Sequence, residues 1–286
     1  MQQVRPWSRK LVKKLLEKYG IRPKKSLGQS FLVSYKYARL IVDALGLVEN
    51  DLVYEIGAGF GALTVLVAEE GIPIVAVEID LALSRALADL TKQYMGVHIV
   101  VADALTLDVP EQATKVLSNV PYSISSPLLT RLLRAPRYEL AVLTLQKEFA
   151  ERLFARPGTK KYGRLTILAS LTCTVEKVGM IPRWAFYPEP DVDSLIIRIR
   201  PKPRVDPHVI PRVEMLTRRI FPYRRRVLSK ALKIAGLTLG PSVKTEISDI
   251  LRKRVFELTP SDVVRLAASL HDVCKDTCNS THRPDT

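Results

Sequence analysis

The sequence is poor in cysteine and histidine, and it lacks any long apolar run. Three Cys and four His occur among 286 residues, so the composition does not indicate a disulfide framework. No stretch stays apolar for the roughly 20 residues that a membrane-spanning helix needs, and no secretory signal is visible. We therefore expect a soluble, cytoplasmic protein with no membrane partner.

Half of the scarce histidines and two of the three cysteines lie in the C-terminal tail. On a continuous helix, His271, Cys274, Cys278 and His282 would fall near one face and could bind zinc. Metal sites more often use closely spaced Cys-x-x-Cys pairs, and this tail ends in residues typical of loops. We expect no metal site.

Positive charge is abundant but unevenly distributed. The net charge is +15, yet residues 26–201 hold 18 Lys and Arg against 19 acidic residues. The basic excess lies in residues 1–25, with nine against one, and in residues 202–286, with 17 against nine. A neutral centre with basic flanks indicates a site for an uncharged group and surfaces that follow phosphates. The alternative is that these side chains only solubilise the surface.

The densest basic cluster lies in the C-terminal part of the chain. It consists of Arg224, Arg225 and Arg226, with Lys230 close behind. We predict that these four side chains contact RNA phosphates.

A glycine-rich loop follows the first strong apolar run, at residues 52–56, and precedes a helix-like stretch, Ala62–Glu69. Glycine at such a turn lets the backbone approach a ligand, and the helix N-terminus supplies unpaired N–H groups. Gly57 and Gly59 also fit the dinucleotide fingerprint. The loop alone therefore does not choose between NAD and S-adenosylmethionine.

Three further apolar runs each end in a polar residue, namely Glu78, Asp103 and Asn119. The carboxyl ends of parallel strands meet at one edge of an open α/β sheet, where ligands bind. A carboxylate at Glu78 could hold ribose hydroxyls, and one at Asp103 could meet the amino group of a cofactor adenine. Hydride transfer needs a proton shuttle, and no His or Lys lies in an obvious place for it. Methyl transfer needs only in-line placement and electrostatic help, which favours S-adenosylmethionine.

The sequence Asn119-Val120-Pro121-Tyr122 suits an amino group on a flat base. An exocyclic adenine amine is a poor nucleophile because its lone pair is delocalised into the ring. The Asn119 side-chain oxygen and the Val120 carbonyl could each accept one amine proton, while Tyr122 stacks on the base. Taken alone, these residues could simply form a turn after a strand. The upstream loop and carboxylates favour N-methylation of adenine.

Together, the motifs resemble those of the small-subunit ribosomal RNA adenine N6-dimethyltransferases, the KsgA-like enzymes, whose relatives include the Erm resistance methyltransferases. The resemblance extends from about Arg22 to the C-terminal helices. Its motifs are KKSLGQSFL (Lys24–Leu32), EIGAGFGALT (Glu55–Thr64), VEID (Val77–Asp80), ADAL (Ala102–Leu105), NVPY (Asn119–Tyr122), FYPEPDVDSLIIRI (Phe186–Ile199) and FPYRRR (Phe221–Arg226).

This resemblance implies roles for individual residues. Tyr122 is expected to stack on the target base, with Phe186 on its other face, and Asn119 to serve both cofactor and target amine. The family usually has Asn at the position of Ser30 and Leu at that of Val120. The implied cofactor-binding residues are Gln29, Ser30, Leu32, Gly57, Gly59, Glu78, Asp103 and Asn119.

The resemblance also implies an α/β fold: a Rossmann-like S-adenosylmethionine-dependent methyltransferase domain with a mostly parallel sheet, followed by a small all-helical domain. We place a basic N-terminal extension at residues 1–25, the methyltransferase domain at 26–200 and the helical domain at 205–286. Apolar spacing predicts a basic amphipathic helix within the first 20 residues. It could bind RNA, pack on the protein or act as an organellar targeting segment. In the helical domain, one of the predicted helices spans Lys244–Phe256.

The activity expected from the resemblance is dimethylation of adenosines near the 3′ end of small-subunit ribosomal RNA during ribosome biogenesis. The expected partner is this RNA or the immature small subunit, and we expect the enzyme to act as a monomer. Two alternatives remain open. One is an assembly factor that acts mainly by binding the pre-ribosomal subunit, and the other is a DNA adenine N6-methyltransferase.

Overall fold

The computed structural model describes residues 6–24, 27–134 and 136–270. They group into two compact units. The first comprises the described residues up to 150 together with 173–202, and the second comprises 151–172 together with those from 203 onward. The tail residues His271, Cys274, Cys278 and His282, like Lys25 and Ser26 of the KKSLGQSFL motif, lie outside the described residues.

The first unit is built on a seven-stranded sheet in the order β4-β3-β2-β5-β6-β9-β7. The first five of these strands are mutually parallel, while β9 runs antiparallel to both β6 and β7. A separate pair is formed by β1 and β8. The strands are β1 (Phe31–Leu32), β2 (Val53–Ile56), β3 (Ile74–Glu78), β4 (Val97–Val101), β5 (Lys115–Asn119), β6 (Leu140–Gln146), β7 (Cys173–Ile181), β8 (Phe186–Tyr187) and β9 (Ser194–Pro201).

Continuous apolar runs form the centre of this sheet because its strands are covered on both faces. Every residue of β2 is buried, and β6 is buried from Leu140 to Leu145. Strand β4 lies at the sheet edge and is correspondingly more exposed. The α/β class with a mostly parallel sheet, predicted from the sequence, is confirmed.

The order of the strands creates a switch point between β2 and β5. From β2 the chain builds outward through β3 and β4, and from β5 it builds in the opposite direction through β6. The turns after β2 and β5 therefore lie side by side and lead away from each other, leaving the crevice in which open α/β sheets bind ligands. The glycine loop and Asn119 meet at this point because they end these two strands.

Six helices belong to the first unit, counted over its described residues. The third begins at Thr64 rather than at the predicted Ala62, because the glycine turn continues to Gly61, whose φ is +79°. The helices are α1 (Arg9–Lys18), α2 (Tyr35–Asp43), α3 (Thr64–Glu69), α4 (Leu81–Thr91), α5 (Ser125–Arg134) and α6 (Lys147–Ala150).

The basic N-terminal helix predicted from apolar spacing is α1, and it packs against the first unit. Ser8 caps it by accepting a hydrogen bond from the Leu11 amide at 3.1 Å. Its apolar face, formed by Val12, Leu15 and Leu16, is buried in a cluster with Phe31 and Phe60. Lys10, Lys13 and Lys14 lie on its exposed face.

The pairing of β1 with β8 is not evident from the sequence. It sets Phe31 opposite Tyr187 and Leu32 opposite Phe186, and the Val33 amide donates to the Ala185 carbonyl at 2.8 Å. This short ladder fastens the N-terminal motif to the proline-rich loop, although the two are more than 150 residues apart in sequence.

The second unit is helical over its described residues. It contains α7 (Arg164–Thr172), α8 (Ile210–Ile220), α9 (Leu228–Ile234), α10 (Pro241–Glu246), α11 (Ser248–Leu251) and α12 (Pro260–Ser269). Thr259 and Asp262 form a capping box at the start of α12.

The predicted single helix at Lys244–Phe256 is wrong. The chain instead forms α10, α11 and a 3₁₀ turn at Val255–Glu257. The Leu228 amide donates to the Lys253 carbonyl, and the Val255 amide donates to the Arg226 carbonyl. These contacts hold Arg254 in an extended conformation, which a helix cannot accommodate.

The grouping of residues 151–172 differs from the predicted domain boundaries, which place this segment with the methyltransferase domain. Its hydrogen bonds lead into the helical unit: the buried Tyr162 hydroxyl donates to the Leu258 carbonyl at 2.7 Å, and the Gly158 amide donates to the Phe256 carbonyl at 2.7 Å. The sequence shows no linker after Ala150, so it gives no sign that the chain passes from the first unit into the second at this point.

Candidate active site

A cavity of about 260 Å³ lies at the switch point of the first unit. Its walls come from the N-terminal motif, the loops that follow β2, β3, β4 and β5, and β8. All of the residues predicted to bind the cofactor or the target base line it, namely Gln29, Ser30, Leu32, Gly57, Gly59, Glu78, Asp103, Asn119, Val120, Tyr122 and Phe186.

The glycine loop lines the cavity with backbone atoms of residues that have no side chain. Gly57 and Gly59 have φ values of +73° and +56°, a region that favours glycine. A Cβ atom at Gly57 would lie 3.2 Å from the Pro121 ring, and one at Gly59 would lie 3.3 Å from the Phe31 ring. Both neighbours approach closely because no side chain intervenes.

Two carboxylates follow β3 and β4 in the cavity wall. The Glu78 carboxylate accepts hydrogen bonds from the Gly59 amide at 2.9 Å and the Asp80 amide at 3.0 Å, one on each oxygen. Burial raises the pKa of Glu78. Asp103 is half-buried, and its Oδ1 accepts from the Leu105 amide at 2.8 Å. Each carboxylate keeps acceptor capacity for a ligand.

The amide of Asn119 is oriented by the N-terminal motif. Its Nδ2 donates to the Ser30 carbonyl at 3.3 Å. Since a carbonyl can only accept, this bond fixes which side of the amide carries nitrogen. Within the part of the chain that the structure describes, Oδ1 has no hydrogen-bond partner. The amide oxygen therefore remains able to accept a proton from a ligand.

Tyr122 is held by Ser194, a residue that the sequence reasoning missed. Its hydroxyl lies 2.9 Å from the Ser194 Oγ, and Ser194 is fully buried at the start of β9. Burial raises the pKa of Tyr122, so the hydroxyl stays protonated. Ser194 belongs to the FYPEPDVDSLIIRI motif, but no sequence pattern pairs it with Tyr122.

Gln29, Ser30 and Phe186 also line the cavity, and they differ in their hydrogen bonds and burial. Gln29 Oε1 accepts from the Lys24 amide at 2.8 Å, while its Nε2 is buried without a partner among the described residues. Ser30 Oγ donates to the Pro188 carbonyl at 2.8 Å, which turns the hydroxyl toward the proline-rich loop. The Phe186 side chain is 1% exposed.

Glu55 and Gly28 also line the cavity and were not predicted. Glu55 is buried at the end of β2 and accepts a 2.5 Å hydrogen bond from the Thr64 hydroxyl. Burial raises its pKa from 4.5 to about 8. Gly28 has φ +62°, and a Cβ there would lie 2.8 Å from the Tyr122 amide nitrogen. Its position inside KKSLGQSFL is the signal that could have identified it.

The residues predicted to contact RNA lie in the second unit. Arg225, Arg226 and Lys230 are exposed. Arg224 is half-buried: its guanidinium donates to the Thr159 carbonyl at 3.1 Å and lies 5.8 Å from the centre of the Phe256 ring. Three of the four side chains are thus available to a polyanion, whereas Arg224 is engaged within the protein.

The parallel sheet, glycine loop and switch-point cavity define a Rossmann-like domain with a ligand site at its switch point, and solved methyltransferase structures share this fold. The family described as "Ribosomal RNA adenine dimethylase" matches residues 20–263. The chain belongs to this family.

Individual relatives agree with this assignment. The chain is 38% identical to the "Probable ribosomal RNA small subunit methyltransferase A" of Methanopyrus kandleri over 90% of this chain and 95% of that protein. It is also 38% identical to the ribosomal RNA small subunit methyltransferase A of Deinococcus radiodurans, covering 84% and 82%. Among solved structures, a dimethyladenosine transferase from Plasmodium falciparum aligns with TM-score 0.70 and 27% identity, covering 82% of this chain and 95% of that one. The 23S rRNA methyltransferase ErmE aligns with TM-score 0.59 and 28% identity, covering 84% and 99%.

Two features are absent from the described residues. No helix there is long and apolar enough to cross a membrane. Nor do three or more His, Cys, Asp or Glu side chains in these ranges cluster so that they could hold a metal ion.

We expect Gly28→Ala to impair methyl transfer by displacing the Tyr122 backbone. Gly20→Ala is the matched control, because Gly20 has nearly the same φ, +63°, but nothing lies within 4 Å of its added Cβ. Both variants should lose about 1 kcal/mol of unfolding free energy to backbone strain, and Gly28→Ala should lose more because its Cβ clashes with the Tyr122 amide. Only Gly28→Ala should also lose activity, measured by labelled methyl incorporation beside thermal unfolding. Equal activity of the two variants would contradict the importance of this contact.

We expect Glu55→Gln to flatten the pH dependence of stability. The unfolded chain releases this proton near pH 4.5, whereas the folded chain keeps it to about pH 8. Between these values the folded state binds more protons, so the Glu55 contribution makes unfolding free energy fall as pH rises. Urea unfolding at several pH values across this window measures the decline. The exposed Glu49→Gln variant serves as control, and an undiminished decline in Glu55→Gln would refute the assignment.

Proposed function

We propose that the protein uses S-adenosylmethionine to dimethylate N6 of adenosines near the 3′ end of small-subunit ribosomal RNA. The observation that carries this proposal is the position of Asn119. It ends β5 at the switch point, beside the glycine loop, with its amide nitrogen engaged by Ser30 and its oxygen available. An amine held by that oxygen lies in the same cavity as the cofactor residues.

The cavity fits S-adenosylmethionine in the chemistry of its donors and acceptors. Glu78 offers carboxylate oxygens for the ribose hydroxyls, and Asp103 offers one for the adenine amino group. The unpartnered Gln29 Nε2 supplies a donor for an acceptor group such as the methionine carboxylate. The positive φ of Gly57 and Gly59 lets the loop backbone form part of the cavity wall, where it can lie against the cofactor.

The reacting amine is activated by acceptors rather than by a titratable base. When bound, the cofactor supplies a methyl group on a sulfonium, which is already electrophilic. Asn119 Oδ1 and the Val120 carbonyl accept the two N6 protons, which localises the nitrogen lone pair toward the methyl carbon. As the N–C bond forms, the C–S bond breaks and one amine proton is released to solvent. A second round replaces the remaining proton.

The target base is held by stacking. Tyr122 is restrained through Ser194, and Phe186 lines the cavity from β8. We place the adenine between these two rings, since extrusion of a base requires a surface that replaces its lost stacking. RNA phosphates contact Arg225, Arg226 and Lys230 of the second unit. The names of the Methanopyrus and Deinococcus relatives support the small-subunit substrate.

A single-turnover assay tests this function. Purified protein and labelled cofactor are incubated separately with immature small subunits, naked small-subunit RNA and duplex DNA. We expect dimethyladenosine near the RNA 3′ end in at least one ribosomal sample. Label in DNA alone would establish the DNA methyltransferase alternative. Tight subunit binding with no label in any sample would establish the assembly-factor alternative.

We expect Asn119→Ala to reduce methyl transfer by about a hundredfold or more, the typical loss when an oriented transition-state hydrogen bond is removed. Cofactor binding should weaken only modestly, because the other cofactor residues remain. Calorimetric titration and single-turnover rates separate the two effects. Asn50→Ala, in an exposed loop, is the control. Unchanged turnover in Asn119→Ala would exclude the proposed role.

We expect the double variant Arg225→Ala/Arg226→Ala to bind RNA more weakly and with less salt dependence. Each lost phosphate contact should reduce the slope of log affinity against log salt by about 0.7 to 0.9. Arg224→Ala should instead lower the unfolding temperature, because Arg224 bonds to Thr159 and contacts Phe256. Filter binding over a salt series measures the slopes. If the double variant keeps the wild-type slope, Arg225 and Arg226 do not belong to the RNA interface.

A further inference from the structure

The N-terminal segment Pro6–Lys18 lies before residue 20, where the family match begins, yet part of it forms a wall of the cofactor cavity. We propose that the segment positions the wall of the cofactor cavity, with Pro6 and Val12 as positioning residues that support this wall. This inference rests on the proposed function, since it takes S-adenosylmethionine as the occupant of the cavity.

Two side chains of the segment reach the cavity. Pro6 and Val12 line it, both are buried, and Val12 is 0% exposed. Both are apolar and almost without accessible surface, so they can support the cavity wall and exclude water from behind it. They thus complement the polar donors and acceptors of the motif residues.

The segment packs on elements that the proposed function assigns to the cofactor. Val12, Leu15 and Leu16 share a buried cluster with Phe31 of the N-terminal motif and Phe60 of the glycine loop. The same cluster contains Leu83, near the start of α4, which directly follows the VEID motif. Movement of α1 would therefore open the cavity and expose Phe31 and Phe60, which both line it.

Hydrogen bonds fix the position of the segment at two further points. The Trp7 Nε1 donates to the carbonyl of Ala62, itself a cavity residue, at 3.0 Å. The Arg9 guanidinium donates to the Trp184 carbonyl at 2.8 Å and pairs with Glu189 at 3.1 Å. These two acceptors flank Phe186 in sequence, so the segment also connects the cofactor wall with the loop proposed to hold the target base.

Position within α1 separates a binding role from simple packing. Val12 and Leu16 lie one helical turn apart and belong to the same apolar cluster, but only Val12 lines the cavity. Truncating either side chain removes apolar contacts and should lower stability. Only truncation at Val12 should also leave a void in the cavity wall and so weaken cofactor binding.

The test measures binding of S-adenosylhomocysteine by calorimetry to the full-length wild type, Val12→Ala and Leu16→Ala, with thermal unfolding in parallel. We expect Val12→Ala to bind roughly five- to tenfold more weakly, because the void it leaves lets the neighbouring wall residues shift. Leu16→Ala should bind within about twofold of wild type even if its unfolding temperature falls further. Val12→Leu, which adds one methylene without creating a void, should also weaken binding by filling ligand space.

The outcomes distinguish this inference from the proposed function. If the wild type does not bind S-adenosylhomocysteine, the proposed cofactor is wrong. If the wild type binds and both Val12 variants match its affinity, the cofactor stands and the role of α1 is overturned. Equal weakening by Leu16→Ala and Val12→Ala would likewise overturn it, because general loosening of the helix would then explain the effect.

Discussion

The hydrogen bond from Asn119 Nδ2 to the Ser30 carbonyl is the contact on which the arrangement of the site depends. It joins the end of a central parallel strand to a segment that precedes the whole sheet in the chain. Because it consumes the donor side of the amide, it leaves the acceptor side for a substrate. The ladder between β1 and β8 supports the same segment from its other side, so the Ser30 carbonyl is held between two independent restraints.

Two buried carboxyl groups are the second constraint on this site. Glu55 and Glu78 are both buried next to the cavity, and burial raises the pKa of each. A cationic ligand would stabilise the ionised form of both carboxylates, whereas a neutral or anionic one would not. This electrostatic preference agrees with a sulfonium cofactor.

Local rules predicted the sheet and the polar residues at its carboxyl edge, whereas Gln29, Ser30, Leu32 and Phe186 were expected only from the family resemblance. Continuous apolar runs identified the buried strands, and a polar residue at the end of each run marked the ligand-binding edge. Gly28 and Ser194 were missed because their roles arise from contacts with Tyr122, which lies far from both in sequence. No periodicity encodes such a contact.

Helix boundaries in the second unit were harder to predict for a related reason. Apolar spacing favoured one helix over Lys244–Phe256, but hydrogen bonds from Leu228 and Val255 hold the chain extended near Arg254. The composition of residues 151–172 likewise does not indicate that they belong to the second unit. In both cases tertiary hydrogen bonds decided the outcome, and their partners are distant along the chain.

The assignment of residues 151–172 to the helical unit affects any attempt to dissect the protein. The strands β7 and β9 complete the sheet only after the chain has already contributed α7 to the other unit. A fragment ending near Lys202 would retain α7, whose Ile167 and Leu168 are buried against the remainder of that unit. Such a fragment would present an uncovered apolar helix to solvent. A clean excision of the catalytic half therefore requires two cuts and a new connection from Ala150 to Cys173.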